Sequence, residues 1–194
     1  MLTLYFDFTS LASAVAVRRV ERLTQAGGSP DAVRFVGFDL LGSDQTLPVT
    51  IDVLEEIDRW QQAALDEGLV VRRPRLRPPT IAAHLVSDLA DSIGAGAAWR
   101  TGVFDSYFAA DQDLADVEVL LAVGRTIGLA PDAIRDVVTD TAARAAARRR
   151  MAHLRQRGLA GVPVLDADGA LVSPHVDDAA LASLLRLHGG APVA

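Results

Sequence analysis

Apolar positions along the chain switch repeatedly between the strand and the helix period, and those switches divide it. Leu2-Thr3-Leu4-Tyr5-Phe6 is aromatic and aliphatic and suits a buried strand, while the alanine-rich run from Ser10 has helical spacing. A strand therefore runs straight into a helix, expected over Leu11 to Gln25 with Leu11, Val15, Val17, Val20 and Leu23 inward and Gly27-Gly28 as the stop. Val33 to Leu41 reads as a second strand, and strand, helix and strand at this spacing predict a parallel βαβ unit.

No strand is expected from Val49 to Arg157. Helices are predicted at Val49 to Glu67, Thr80 to Ile93, Ala97 to Ala110, Val117 to Ile127, Asp132 to Val138 and Thr141 to Gln156, punctuated by Gly68, Gly94, Gly128 and Pro131. The strand pattern then returns. Gly161 to Leu165 and Ala170 to Val172 form a hairpin turned by Asp168-Gly169, and Asp177 to Leu187 closes the chain as a helix with Leu181, Leu184 and Leu185 inward. Gly189 to Ala194 is expected to be a short loose tail.

Composition narrows the function. At 194 residues, 50% hydrophobic and 23% charged, the chain buries a sizeable core as a soluble globular protein. A net charge of −6 and a pI near 5.1 argue against a nucleic-acid or anionic-membrane partner. No cysteine is present, so disulfides, thiolate nucleophiles and Cys-x-x-Cys redox chemistry are excluded within this polypeptide. The chain opens on a strand without leader features, and no stretch stays apolar for about 20 residues, so a cytoplasmic location is expected.

Asp7-Phe8-Thr9-Ser10-Leu11-Ala12-Ser13 resembles the first motif of the DsbA-like thioredoxin families, where strand one is followed by Cys-x-x-Cys, or by Ser-Pro-x-Ser in kappa-class glutathione transferases and 2-hydroxychromene-2-carboxylate isomerases. Ser10 and Ser13 fall on the two active-site positions, and Leu11 replaces the proline. Phe38 to Gly42, Pro78 to Leu85, Val103 to Phe108 and Asp116 to Leu121 are similar to further segments of the isomerase, kappa-transferase and FrnE-like branches, so the resemblance spans nearly the whole chain. It implies an α/β, thioredoxin-like fold over 1–48 and 159–194 with an all-helical insertion domain over 49–158. Gly161-Val162-Pro163 resembles the thioredoxin-fold proline loop, which implies a cis Val162-Pro163 bond facing Ser10, although most X-Pro bonds are trans.

The candidate catalytic residues are Ser10 and Ser13, with Asp7, Ser10, Val162 and Pro163 as cofactor-binding residues. Serine at this place caps a helix. In the serine-containing relatives it also hydrogen-bonds the sulfur of a bound thiol, which the helix dipole holds as thiolate. A cleft walled by Asp7 to Ser13 and Gly161 to Val164 is the expected site, with Ser10 Oγ pointing into it. Asp7 is either a cap or a buried carboxylate of perturbed pKa. His84, His153, His175 and His188 lack metal-ligand spacing, and His175 sits in a Ser173-Pro174-His175 segment where the FrnE-like branch has a different sequence. Arg72, Arg73, Arg75 and Arg77 either cover an anionic ligand or balance nearby acids, and Arg148 to Arg150 suit the later part of a helix.

Two functions follow from the resemblance. One is an isomerase or transferase dependent on glutathione or another low-molecular-weight thiol, acting through Ser10, with no metal. The other is a non-catalytic protein that keeps the cleft for a peptide or small molecule. A homodimer is compatible with either.

Overall fold

The computed structural model describes residues 2–27 and 32–188, so the expected tail from Gly189 and the Gly28 half of the helix stop lie outside the described residues. Strand β1 (Leu2–Phe6) leads through a four-residue turn into α1 (Leu11–Ala26), and β2 (Val33–Gly37) follows. Short β3 (Leu47–Pro48) precedes α2 (Ile51–Asp66), and short β4 (Leu76–Arg77) precedes α3 (Ile81–Ser92) and α4 (Gly96–Phe104). A π-helical turn, Asp105–Ala109, extends α4, and α5 (Val117–Thr126), α6 (Pro131–Thr139) and α7 (Thr141–Gln156) complete the helical stretch. Strands β5 (Val164–Ala167) and β6 (Ala170–Val172) and helix α8 (Asp178–His188) end the described chain.

Local chemistry accounts for many of these boundaries. Asp116 and Asp140 cap α5 and α7 by accepting first-turn amides, and Pro131 opens α6, where its missing N–H costs nothing. Asp168 and Gly169 both have positive φ, 53° and 97°, which is what a tight two-residue hairpin turn requires. The expected hairpin is therefore present.

The main sheet runs β2-β1-β5-β6, with β2 parallel to β1 and the other pairs antiparallel. This is an α/β thioredoxin-like arrangement carrying a helical insertion. Alternation along β1 divides the core: Leu2, Leu4 and Phe6 pack with Leu11 and Val15 of α1 and Leu181 of α8, whereas Tyr5 faces Ile81, Leu85, Met151 and Leu154 of α3 and α7.

Two expectations need correction. The second strand stops at Gly37 rather than Leu41, because the backbone after Phe38 turns to bond Asp7. The region from Val49 to Arg157 is not free of strand: Leu76–Arg77 pairs with Leu47–Pro48 in a separate two-stranded sheet. No residue of that region joins the main sheet.

Three segments meet at the carboxyl end of β1. Phe38 donates its amide to Phe6 O at 2.8 Å, which continues the β2 pairing beyond the strand. Tyr5 pairs with Val164, so one more step of the antiparallel register sets Pro163 beside Phe6, next to the turn that starts at Asp7. The Val162-Pro163 bond is cis, as the resemblance implies.

Candidate functional site

The turn from Asp7 to Ser10 is buried throughout and wired by its own side chains. Ser10 is the N-cap of α1, with extended backbone (φ −102°, ψ 120°), and its Oγ accepts from Ser13 N at 3.1 Å. Ser13 Oγ in turn accepts from Asp7 N at 3.2 Å, and Thr9 N donates to Asp7 Oδ1 at 3.2 Å. The capping role weighed for Ser10 is thus observed, and Ser13 fastens the turn from inside the helix.

Ser10 has a second partner that its neighbours in sequence do not announce. Its hydroxyl donates to Glu56 Oε1 of α2 at 2.8 Å, and Ala12 N donates to the same oxygen at 3.1 Å. A hydroxyl and a main-chain amide at a helix start therefore converge on one anionic oxygen, where the positive end of the helix dipole also favours it. Ser10 is 1% exposed, so its Oγ does not open freely on to a cleft: its proton is committed to Glu56, which is itself half-buried.

Beneath the turn lies a second cluster. Asp7 is fully buried and accepts from Leu40 N at 2.7 Å, which ties the turn to the segment after β2. His84 of α3 is also buried, stacks on Phe8 with centroids 4.8 Å apart, and brings Nε2 to 3.8 Å from Asp7 Oδ1. Both ring nitrogens of His84, with Thr9 Oγ1 and Thr80 Oγ1, are buried without a hydrogen-bond partner. Burial pushes the Asp7 carboxyl up, but the His84 ring beside it and the Leu40 amide outweigh that and hold Asp7 below the usual carboxylate range. Asp39, close by, is raised by burial first and by the Asp7 charge second.

His175 lies against α2, one turn beyond Glu56: its ring and that of Trp60 have centroids 3.9 Å apart. Burial, with Arg19 adding to it, depresses His175 from 6.5 to about 4. Between these two values the unfolded chain binds a proton that the folded chain refuses, so stability falls as pH drops from about 6.5 to 4. The part-exposed ring is screened, and the expected loss is about 1–2 kcal/mol. Urea unfolding of wild type and His175→Gln across this window checks it: the variant's stability should lose that slope.

Two of the four arginines of the 72–77 segment pair with acids, Arg73 with Asp58 and Arg75 with Asp111, as the charge-balancing reading expects of them. Of the residues singled out in the sequence, the structure gathers Asp7, Ser10 and Ser13 into one turn and brings the Val162-Pro163 loop to the same end of the sheet. Glu56 and the Asp7–His84 contact are additions from α2 and α3. Only the wider pattern of α2, with Glu56 and Trp60 one turn apart on a helix packed on α1, hints at the first. Among the described residues no helix is long and apolar enough to cross a membrane, and no three side chains form a metal-binding group.

Residues 1–186 match the family model of the DSBA-like thioredoxin domain. No curated protein matches the sequence. Among solved structures, a probable DsbA oxidoreductase from Streptomyces coelicolor is 23% identical with a TM-score of 0.78, covering 96% of this chain and 88% of that one. A 2-hydroxychromene-2-carboxylate isomerase is 21% identical, TM-score 0.70, covering 89% and 87%. The cytosolic disulfide reductase DsbM from Pseudomonas aeruginosa, solved with GSH, is 18% identical, TM-score 0.63, covering 96% of each chain.

Proposed function

This chain belongs to the DSBA-like thioredoxin family, and on that premise we propose that it is a cysteine-less isomerase or transferase that uses a small thiol at the start of α1. The observation that carries the reading is the convergence of Ser10 O–H and Ala12 N–H on one anionic oxygen. Two donors at a helix start suit a thiolate as well as they suit a carboxylate. A glutathione-type thiol fits this donor set once Glu56 swings out, and Glu56 is half-buried on the face of α2, so that route is open to it. A bound thiol would supply a nucleophile for reversible addition to an electrophilic carbon. This chain's residues would do the rest: Ser10 and Ala12 hold the anionic atom, and displaced Glu56 accepts the released proton. Asp7 keeps the turn in place through Thr9 and Leu40. Neighbours solved as an isomerase and as a reductase with GSH support the assignment to a small-molecule ligand.

A second reading, a non-catalytic binding protein, is favoured by the same contact seen from the other side: the seat is already filled by the chain's own carboxylate. Calorimetry with glutathione separates the two. On the first reading Glu56→Gln binds about tenfold more tightly than wild type, because a neutral amide competes less well for the seat, and Ser10→Ala binds about tenfold more weakly, each a change of about 1.4 kcal/mol. If neither wild type nor Glu56→Gln binds any cellular thiol, the thiol-dependent reading fails and the binding protein stands.

A further inference from the structure

Helix α7 carries Arg144, Arg148, Arg149, Arg150 and Arg155 and no acid, in a chain whose net charge is −6. Its inward row, Ala147, Met151 and Leu154, is buried with Phe38, Ile81 and Leu85. Beside that row a cavity of about 150 Å³ opens between α7 and the Asp39–Gly42 segment, lined by Asp39, Gly42, Ile81, Arg148, Met151 and Arg155. Its apolar lining is aliphatic, Ile81 and Met151, and arginines stand on either side of Met151. The two lie seven residues apart, roughly 10 Å along the helix axis.

Neither guanidinium is fully spent. Arg155 lies 4.7 Å over the Phe38 ring and donates from Nη2 to Asp39 O at 2.7 Å, which fixes it at the rim with further N–H groups to offer. Arg148 pairs with Asp44, both half exposed, a contact that solvent makes weak and a ligand carboxylate can replace. The one acid in the lining, Asp39, turns Oδ1 to the Leu41 and Gly42 amides, and its burial disfavours the charged form. Dividing the volume by about 30 Å³ per water gives room for about five waters, hence for a ligand of few heavy atoms.

We propose that this cavity binds a short-chain aliphatic monocarboxylate, its carboxylate on Arg148 and Arg155 and its chain on Ile81 and Met151. The site is independent of the thiol reading, since no residue of it touches Ser10 or Glu56. It is nonetheless joined to that site by covalent neighbours: Asp39 precedes Leu40, whose amide holds Asp7.

The chain has two methionines, Met1 and Met151, so methyl-labelled methionine gives a reporter inside the cavity. In a titration of the whole protein with butyrate, the Met151 methyl resonance should move and saturate below about 10 mM, the affinity expected of so few atoms. Arg155→Gln and Arg148→Gln should each weaken this at least tenfold, and Arg149→Gln, whose side chain lines no part of the cavity, should leave it unchanged. Butyramide should fail to shift the resonance at the same concentration. The proposal is overturned if butyrate gives no saturable shift in wild type, if the two lining variants bind as well as wild type, or if butyramide or inorganic phosphate binds equally well.

Discussion

Replacing Gly37 by alanine should lower stability by about 3 kcal/mol, at the upper end of what overpacking costs. A Cβ at this position would lie 2.2 Å from both Cγ and Nδ1 of His84 and 2.6 Å from its Cβ. These atoms are the root of a side chain that is 1% exposed, stacked on Phe8 and set edge-on to Phe6, so the ring cannot swing clear without moving the aromatic layer. The main chain cannot yield easily either, since Gly37 pairs with Phe6 in the parallel ladder. For a chain of this length the loss corresponds to a fall in melting temperature of roughly 6–12 °C. The double variant Gly37→Ala with His84→Ala should lose less than the sum of the two single changes, because removing the ring removes the clash. A single variant that melts within about 2 °C of wild type would show that the strand and α3 can separate freely there.

What the sequence reveals and what it hides divide along chain distance. The β1–α1 turn, the Asp168-Gly169 hairpin and α7 are written in local signals: a cap, a turn dipeptide, a helical run. Periodicity also foretells the helices of the insertion, and resemblance to a known proline loop foretells the cis bond where local preference points to trans. By contrast, β3 and β4 are two residues each, and their pairing across 27 intervening residues leaves no pattern to read. The π-helical turn after α4 continues a helical pattern and differs from it only in hydrogen bonding, with Arg18 of α1 bound to Asp105 there. Ser10 and Ser13 are legible because one motif holds both. Glu56 lies 46 residues from Ser10, and as a lone acid on an amphipathic helix it looks like any solvated charge until α2 is laid on α1. His84 likewise reads as an isolated histidine until α3 crosses the end of β1.

Asp7→Asn should lower stability by about 3 kcal/mol at pH 7, and the gap from wild type should narrow in acid. Asp7 accepts from Thr9 N through Oδ1 and from Leu40 N through Oδ2, both inside the protein. Asparagine offers one acceptor oxygen, so one of those amides would face an NH2 group, and leaving a buried donor unpaired costs about 1–3 kcal/mol. Relief of the repulsion on Asp39 returns a part. Because Asp7 is held below the ordinary carboxylate value, its contribution is present in full above the unfolded pKa of about 3.9 and is lost as pH falls through the folded value beneath it. Asparagine has no such proton to take up. The His175 loss between about 6.5 and 4 occurs equally in both proteins and cancels from the difference. Urea unfolding of the pair at pH 7 and again near pH 2 is the measurement. A difference that is the same at both pH values would mean that Asp7 acts by shape and hydrogen bonding alone, and that the carboxylate under the Ser10 turn gains nothing from its neighbours.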